Sequence, residues 1–227
     1  MSLFRKSLIA VFSLIIISAL FSVVFKPVFS NIYISFAKKY TRGRFVCTLD
    51  NKGQHVGKLY KFVNGKPDLI HTSVSNSCIF SRPKINAGFF VLAIGGGGGA
   101  TPYEGGNHGQ IISKHLGINK PVIVINIGHG GKGTYVDGNT FIDAKDGSST
   151  TISEINITAH GGSKSTRMTP LGAPPKEEQY HLPDKYHHLY DIPKSAKYGL
   201  GGQYNKHTKN ISAKAQSGHC GAVIIQW

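Results

Sequence analysis

Short apolar runs dominate the pattern of hydrophobic positions, and several of them lead directly into glycines. Residues 89–94 are almost entirely apolar and run into the glycines at 95–99; residues 122–127 likewise precede a glycine-rich stretch. Residues 155–159 alternate between apolar and polar side chains before Gly161 and Gly162. A continuous apolar run is typical of a strand buried on both faces, whereas alternation is typical of a half-buried strand. The pattern therefore predicts two buried strands and one half-buried strand.

Further strand-like runs occur on both sides of this region. Residues 45–49, 56–63 and 69–74 are rich in β-type residues, and Asn64-Gly65 between the last two runs predicts a hairpin turn. No long amphipathic helix is expected between residues 45 and 166. The fold class is therefore mainly β, a β-sandwich or roll. Residues 31–86 form either a linker with a small β-subdomain or the opening strands of a main domain at 87–227.

The N-terminal region carries an uncharged hydrophobic stretch at residues 7–25, flanked by Arg5-Lys6 and Lys26. Its length suits a membrane-anchoring helix, which needs about 17–25 residues. The small and β-branched residues before Asn31 also suit the cleavage site of a secretory signal sequence. Residues 1–30 are thus a signal sequence or a membrane anchor, and both alternatives predict an exported protein, anchored at the surface or secreted.

Three cysteines fit an oxidising compartment. Cys47 and Cys78 each lie beside β-type residues, and a disulfide between them would close a loop of about 30 residues, worth roughly 3–4 kcal/mol. Cys220 is then left over and is expected to be a small buried residue at the start of a strand. No CxxC or HxxxH spacing supports a zinc site.

Residues 167–198 differ in character because they are rich in proline, tyrosine and histidine. We predict a long irregular loop, and such loops are commonly functional. Tyrosine offers a large, rigid contact area with a polar tip, which suits a binding surface. The candidate binding residues are Tyr180, His181, Tyr186, His187, His188 and Tyr190.

The chain has 26 Lys and Arg against 11 Asp and Glu, a net charge of +15. This balance favours anionic partners such as acidic polysaccharides or lipid headgroups. Nucleic acid is not expected as a partner of an exported chain. Self-assembly remains open as a further role.

The glycine pattern gives residues 86–227 a resemblance to a known family. The sequences FFVLAIGGGGG, GGNHGQII, VIVINIGHGGKG, TAHGG and GHCGAVIIQW follow one another in an order that resembles the glycine-rich domain family of phage tail-fibre, receptor-recognising and bacterial surface proteins. The resemblance implies a β-sandwich whose glycine runs form extended, polyglycine-II-like helices packed side by side, with a binding or structural role outside the cell. The structural glycines would be Gly95, Gly96, Gly97, Gly98, Gly99, Gly128, Gly130, Gly131, Gly161, Gly162, Gly201 and Gly202.

Catalytic and cofactor motifs are weak in this sequence. Neither major glycine run fits the phosphate-loop spacing GxxxxGK[ST], and no helix is expected after either run. A GxSxG nucleophile motif is also missing. His181, His187 and His188, with Asp184 and Asp191, form the best cluster for a weak metal site, but an exposed polar loop explains them equally. We therefore expect no enzyme activity, no cofactor and no metal.

The sequence thus predicts a non-enzymatic cell-surface or envelope protein that uses a glycine-rich β-domain for binding or adhesion. One alternative is a pilin-like or other assembly subunit of a surface filament or secretion apparatus. The Gly and Glu that mark a conventional prepilin are missing, however. A second alternative is a metal-dependent hydrolase that uses the histidine cluster.

Overall fold

The computed structural model describes residues 42–83, 88–137, 140–166, 182–203 and 215–227. Strands dominate these residues, which confirms the prediction of a mainly β fold. The predicted hydrophobic N-terminal helix lies outside the described residues. No helix in the described ranges is both long and apolar enough to span a membrane.

The strands follow one another at short spacing. They are β1 (Gly43–Leu49), β2 (His55–Val63), β3 (Lys66–Ser75), β4 (Cys78–Ser81), β5 (Phe89–Ile94), β6 (Ile111–Leu116), β7 (Val122–Asn126), β8 (Tyr135–Asp137), β9 (Thr140–Ile142), β10 (Thr150–Ile152), β11 (Ile157–Ala159) and β12 (Ala222–Gln226). A 3₁₀ helix spans Ser153–Ile155, and the helix α1 spans Asp184–Tyr190.

The strands form two larger antiparallel sheets and one hairpin. The six-stranded sheet has the order β3-β2-β1-β12-β5-β6, the four-stranded sheet has the order β11-β10-β7-β4, and β8 pairs with β9. The described residues of 42–80 belong to the same compact unit as the described residues of 88–227. Strands β1 to β3 therefore take part in the same fold as β5 and β12. They join that fold because β1 pairs with the C-terminal strand β12.

The hairpin between β2 and β3 turns at the predicted residues. Asn64 and Gly65 both have positive φ, at 52° and 76°. Two successive positive φ angles are the signature of a type I′ turn, whose twist matches that of the strands it joins. The sequence prediction at this position is confirmed.

Both faces of the six-stranded sheet are covered near its centre. On one face, the rings of Phe80, Phe89 and Trp227 lie 5.5–6.3 Å apart between centroids. On the other face, Leu92 and Ile224 pack in a buried cluster with residues of the segment around α1. This double covering explains why β5 is buried almost throughout, as its apolar run predicts.

Strand β7 departs from the prediction of burial on both faces. Ile123 and Ile125 are fully buried, but Val122 is 38% exposed and Asn126 is also exposed. The outer face of the four-stranded sheet therefore meets solvent here. The prediction was wrong because an apolar run does not reveal whether a second layer lies above it.

A disulfide connects the two sheets. Cys47 in β1 is bonded to Cys78 in β4, with the Cα atoms 6.1 Å apart. Strand β1 belongs to the six-stranded sheet and β4 to the four-stranded sheet. The predicted disulfide is confirmed, and it ties the opening strands across the core. Cys220 is free and partly exposed, so the expectation that it is buried is wrong.

The glycine runs form a hydrogen-bonded bundle around the central segment 95–100. The backbone N–H groups of residues 95, 96 and 97 each bond to a carbonyl in a different segment. The N–H groups of residues 98, 99 and 100 bond to carbonyls of these same three segments, in the same order. A repeat of three residues is that of the polyproline II conformation. The segments that accept these bonds are 106–110, 145–148 and 215–221; those that donate to the central segment are 128–134, 160–165 and 199–202.

Close backbone packing explains why these positions are glycine. A Cβ atom added to Gly97 would overlap the carbonyl of Leu200, and one added to Gly131 would overlap the carbonyl of Lys145. Gly147 also belongs to the bundle, because its N–H bonds to the carbonyl of Gly162. The predicted structural glycines all have such an overlap: Gly95, Gly96, Gly97, Gly98, Gly99, Gly128, Gly130, Gly131, Gly161, Gly162, Gly201 and Gly202.

Removing the disulfide tests its contribution to stability. Replacing Cys47 and Cys78 together by Ala should lower the free energy of unfolding by about 3–4 kcal/mol, because the unfolded chain regains the freedom of the closed loop. Denaturant unfolding of the full-length chain measures this change. Cys220→Ala is the control and should stay within about 1 kcal/mol of wild type. A double variant as stable as wild type would contradict the prediction.

Adding a single methyl group tests the bundle. Gly97→Ala should lower the free energy of unfolding by at least about 2 kcal/mol, because its Cβ meets backbone that must shift. Gly117→Ala is the matched control, because a Cβ there meets only the side chain of Asn119 at 3.9 Å. Denaturant unfolding compares the two, and equal effects would show that close packing does not explain Gly97.

Candidate binding cleft

The described part of the predicted loop 167–198 contains a helix instead of irregular chain throughout. Helix α1 begins after Pro183 and ends at Tyr190. The next residue, Asp191, has a left-handed backbone (φ 48°), and its N–H bonds to the carbonyl of His187. Leu182, Tyr190 and Ile192 are buried against the six-stranded sheet. The prediction of an irregular loop is therefore wrong for this part, because apolar residues spaced around the prolines anchor it to the core.

The predicted binding residues differ in how exposed their side chains are. Tyr180 and His181 lie outside the described residues. His188 is exposed on α1. Tyr186 is half-buried against the core, and the Lys185 ammonium lies 4.8 Å from the centre of its ring.

Two predicted binding residues are instead structural. His187 is 8% exposed, and its Nδ1 lies 3.0 Å from the carbonyl oxygen of Ile192. Tyr190 is fully buried, and its hydroxyl lies 3.0 Å from that of Ser113 in β6. The prediction that these side chains are presented to a partner is wrong for both. Their hydrogen bonds and burial hold α1 on the sheet.

A cleft of about 360 Å³ lies where the segment after α1 passes over β1, β2 and β3. We call it the Arg44 cleft. Its lining residues are Arg44, Val46, Tyr60, Pro67, Tyr190, Asp191, Ile192, Pro193, Tyr198 and Ile224. The volume falls in the range of small-molecule sites.

Strand geometry places the polar groups of the cleft. Arg44 and Val46 share one face of β1 because side chains alternate along a strand. Tyr60 of β2 lies directly opposite Arg44 in the register. The sequence prediction missed these residues. The one local indication of a site is Arg44 itself, which stands between Gly43 and the apolar Phe45 at the start of a strand. Its position in the sequence does not show which segment of the chain covers it.

Arg44 is nearly buried, with 5% of its surface exposed. Its Nη2 lies 3.1 Å from Oδ2 of Asp191, and its guanidinium carbon lies 5.1 Å from the centre of the Phe62 ring. Its Nε is buried and has no hydrogen-bond partner. A buried donor without a partner costs about 1–3 kcal/mol and calls for an explanation.

The tyrosines of the cleft are neutral hydrogen-bonding groups. Burial raises the pKa of Tyr60, and the Arg44 charge only partly offsets this effect. Burial also raises the pKa of Tyr198, and the neighbouring Tyr60 raises it further. Both hydroxyls therefore keep their protons at neutral pH and can donate. With Arg44, they make the cleft rich in donors.

The histidine cluster does not form a metal site in the part of the chain that the structure describes. No group of three or more His, Cys, Asp or Glu side chains there could hold a metal ion. Asp191 is instead paired with Arg44, and His187 with a backbone carbonyl.

Comparison with known proteins adds no family. No protein-family model, curated protein or solved structure matches the chain. The geometry of the described residues therefore carries the functional argument.

Two histidines outside the cleft titrate abnormally. His55 in β2 accepts a hydrogen bond at its Nε2 from the N–H of Ile127 at 2.9 Å. Burial lowers the pKa of His55, and the nearby His129 lowers it further. Burial and then Lys197 lower the pKa of His219. The folded protein thus favours the neutral form of both rings.

These pKa shifts predict a loss of stability in mild acid. A folded pKa below the unfolded value of about 6.5 gives stability that is complete above that value and is lost as the pH falls through the folded pKa. The free energy of unfolding should therefore decrease from about pH 7 towards pH 5. His55→Asn should reduce this slope, because asparagine does not titrate. Denaturant unfolding at several pH values measures the slope, and an unchanged slope in the variant would contradict the assignment.

Proposed function

We propose that this chain is a non-enzymatic exported protein of the cell surface or envelope that uses its glycine-rich β-domain for binding or adhesion. The Cys47–Cys78 disulfide supports an oxidising compartment. The net charge of +15 supports an anionic partner, such as an acidic polysaccharide or a lipid headgroup. The hydrophobic stretch at 7–25 supports export and attachment to a membrane.

One observation carries the proposal: the segment 182–198 is held at both ends. At its start, Leu182 is buried in the core cluster with Leu92 and Ile224. After it, the N–H of Gly199 bonds to the carbonyl of Cys220. Residues 182–198 are thus presented from a fixed frame, which is how binding segments are commonly held.

The polyglycine-II interpretation of the bundle belongs to the same proposal. The three-residue repeat of hydrogen bonds supports it. Such a bundle buries backbone instead of side chains, so the outward residues of its segments can change without disturbing the interior. This property suits a surface protein that must vary its exterior.

Binding to whole cells tests the proposed function. Deleting 167–198 would uncover Leu92 and Ile224, so substitutions on the exposed side of α1 are the better test. The full-length chain should bind saturably to intact cells or to isolated envelope fractions. We expect the double variant His188→Ala, Leu189→Ala to bind at least fivefold more weakly.

The control changes an exposed site far from α1 in sequence. Lys120→Ala with Val122→Ala alters one charged and one apolar exposed side chain and should leave binding unchanged. Circular dichroism and thermal unfolding of each variant show whether the fold is retained. If the wild-type chain shows no saturable binding to any cell or envelope fraction, the proposal fails.

A further inference from the structure

We propose that the Arg44 cleft binds a singly charged, carboxylate-bearing sugar, such as a uronic acid residue of an acidic polysaccharide. This inference rests on the proposed binding function and names the ligand class of that function. It is carried by the buried Arg44, the donors around it and the apolar walls of the cleft.

Arg44 supplies the recognition of charge. Its Nε is buried in the protein and has no acceptor there. A carboxylate accepts from two neighbouring N–H groups of a guanidinium in one plane, so it could satisfy Nε with a second N–H of the same fork. A ligand of this type would remove the unpaired donor.

The remaining lining residues suit a sugar ring. Tyr60 and Tyr198 offer hydroxyl donors for ring and hydroxyl oxygens of the ligand. Pro67 and Pro193 are exposed and give apolar surface for the C–H face of a pyranose. The cleft volume of about 360 Å³ accommodates a ligand of the size of one or two sugar residues.

The charge balance favours one negative charge over two. Asp191 already pairs with Arg44 and is 63% exposed at its side chain. Among the lining residues, Arg44 is the one cation and Asp191 the one anion. A phosphate dianion would be repelled by Asp191, whereas a monoanionic carboxylate meets less repulsion and can offer hydroxyl groups to it. We therefore infer a singly charged acidic sugar and not a doubly charged phosphate monoester.

Titration with matched probes tests the ligand class. Calorimetric or NMR titrations of the full-length chain compare D-glucuronate, D-glucose and inorganic phosphate, and a tetrasaccharide containing glucuronate extends the series. We expect glucuronate to bind at least tenfold more tightly than glucose or phosphate. Equal affinity for glucose would overturn the role of the carboxylate, and equal affinity for phosphate would overturn the role of the sugar ring.

Substitutions test the residues. Arg44→Lys keeps the charge but removes Nε and the planar fork, so it should weaken glucuronate binding at least tenfold. Arg42→Lys makes the same change at an exposed position outside the cleft and should have no effect. Tyr198→Phe removes one hydroxyl only and should weaken binding about threefold to fivefold, which keeps the test valid if Arg44→Lys unfolds.

The variant Asp191→Asn tests whether the cleft recognises the negative charge of its ligand or only a neutral sugar ring. Asparagine tolerates the left-handed backbone at this position, so the end of α1 is kept. Removing the competing carboxylate should strengthen glucuronate binding, whereas weaker binding of glucuronate would overturn the assignment.

The two proposals can fail separately. Absence of Arg44-dependent binding of glucuronate and of its tetrasaccharide overturns the cleft assignment. If envelope binding persists in that case and still depends on α1, the surface-binding function stands with another ligand. If envelope binding is absent as well, both proposals fail.

Discussion

The structure depends on the close packing of backbone against backbone around residues 95–100. Each N–H of this segment bonds to a carbonyl in another segment, and the neighbours repeat every third residue. The interior of the bundle at its glycine positions is therefore made of peptide groups packed against one another. Glycine is required there because an added Cβ would overlap a carbonyl, as at Gly97 and Gly131. The many peptide hydrogen bonds offset the high entropy cost of ordering so much glycine.

The bundle and the β-sheets are joined directly along the chain. Strand β5 runs directly into the central segment, β7 into 128–134 and β11 into 160–165, while 215–221 leads into β12. A shift in the bundle would therefore move strands of both larger sheets. The Cys47–Cys78 disulfide adds a covalent tie between those sheets.

The segment around α1 combines a structural role with the binding role that we propose. Its underside closes the core over Leu92 and Ile224, and its following residues form one wall of the Arg44 cleft. Tyr190 connects the two parts of the segment, because its hydroxyl lies 3.0 Å from that of Ser113 while its buried ring borders the cleft. A binding site built partly from core residues is rigid before its ligand arrives, which lowers the entropy cost of binding.

The sequence by itself determined the local features of this protein. Apolar runs predicted strands such as β5, Asn64-Gly65 predicted a hairpin turn, and cysteines beside β-type residues predicted the disulfide. Each of these features depends on neighbouring residues or on a small number of possible partners. Only the tertiary structure decided which faces are covered and what meets across the chain. It buried Tyr190 and His187, exposed one face of β7, drew Gly147 into the bundle and placed Arg44 opposite Asp191, 147 positions away. Such contacts depend on how layers and segments pack, and no local pattern records them.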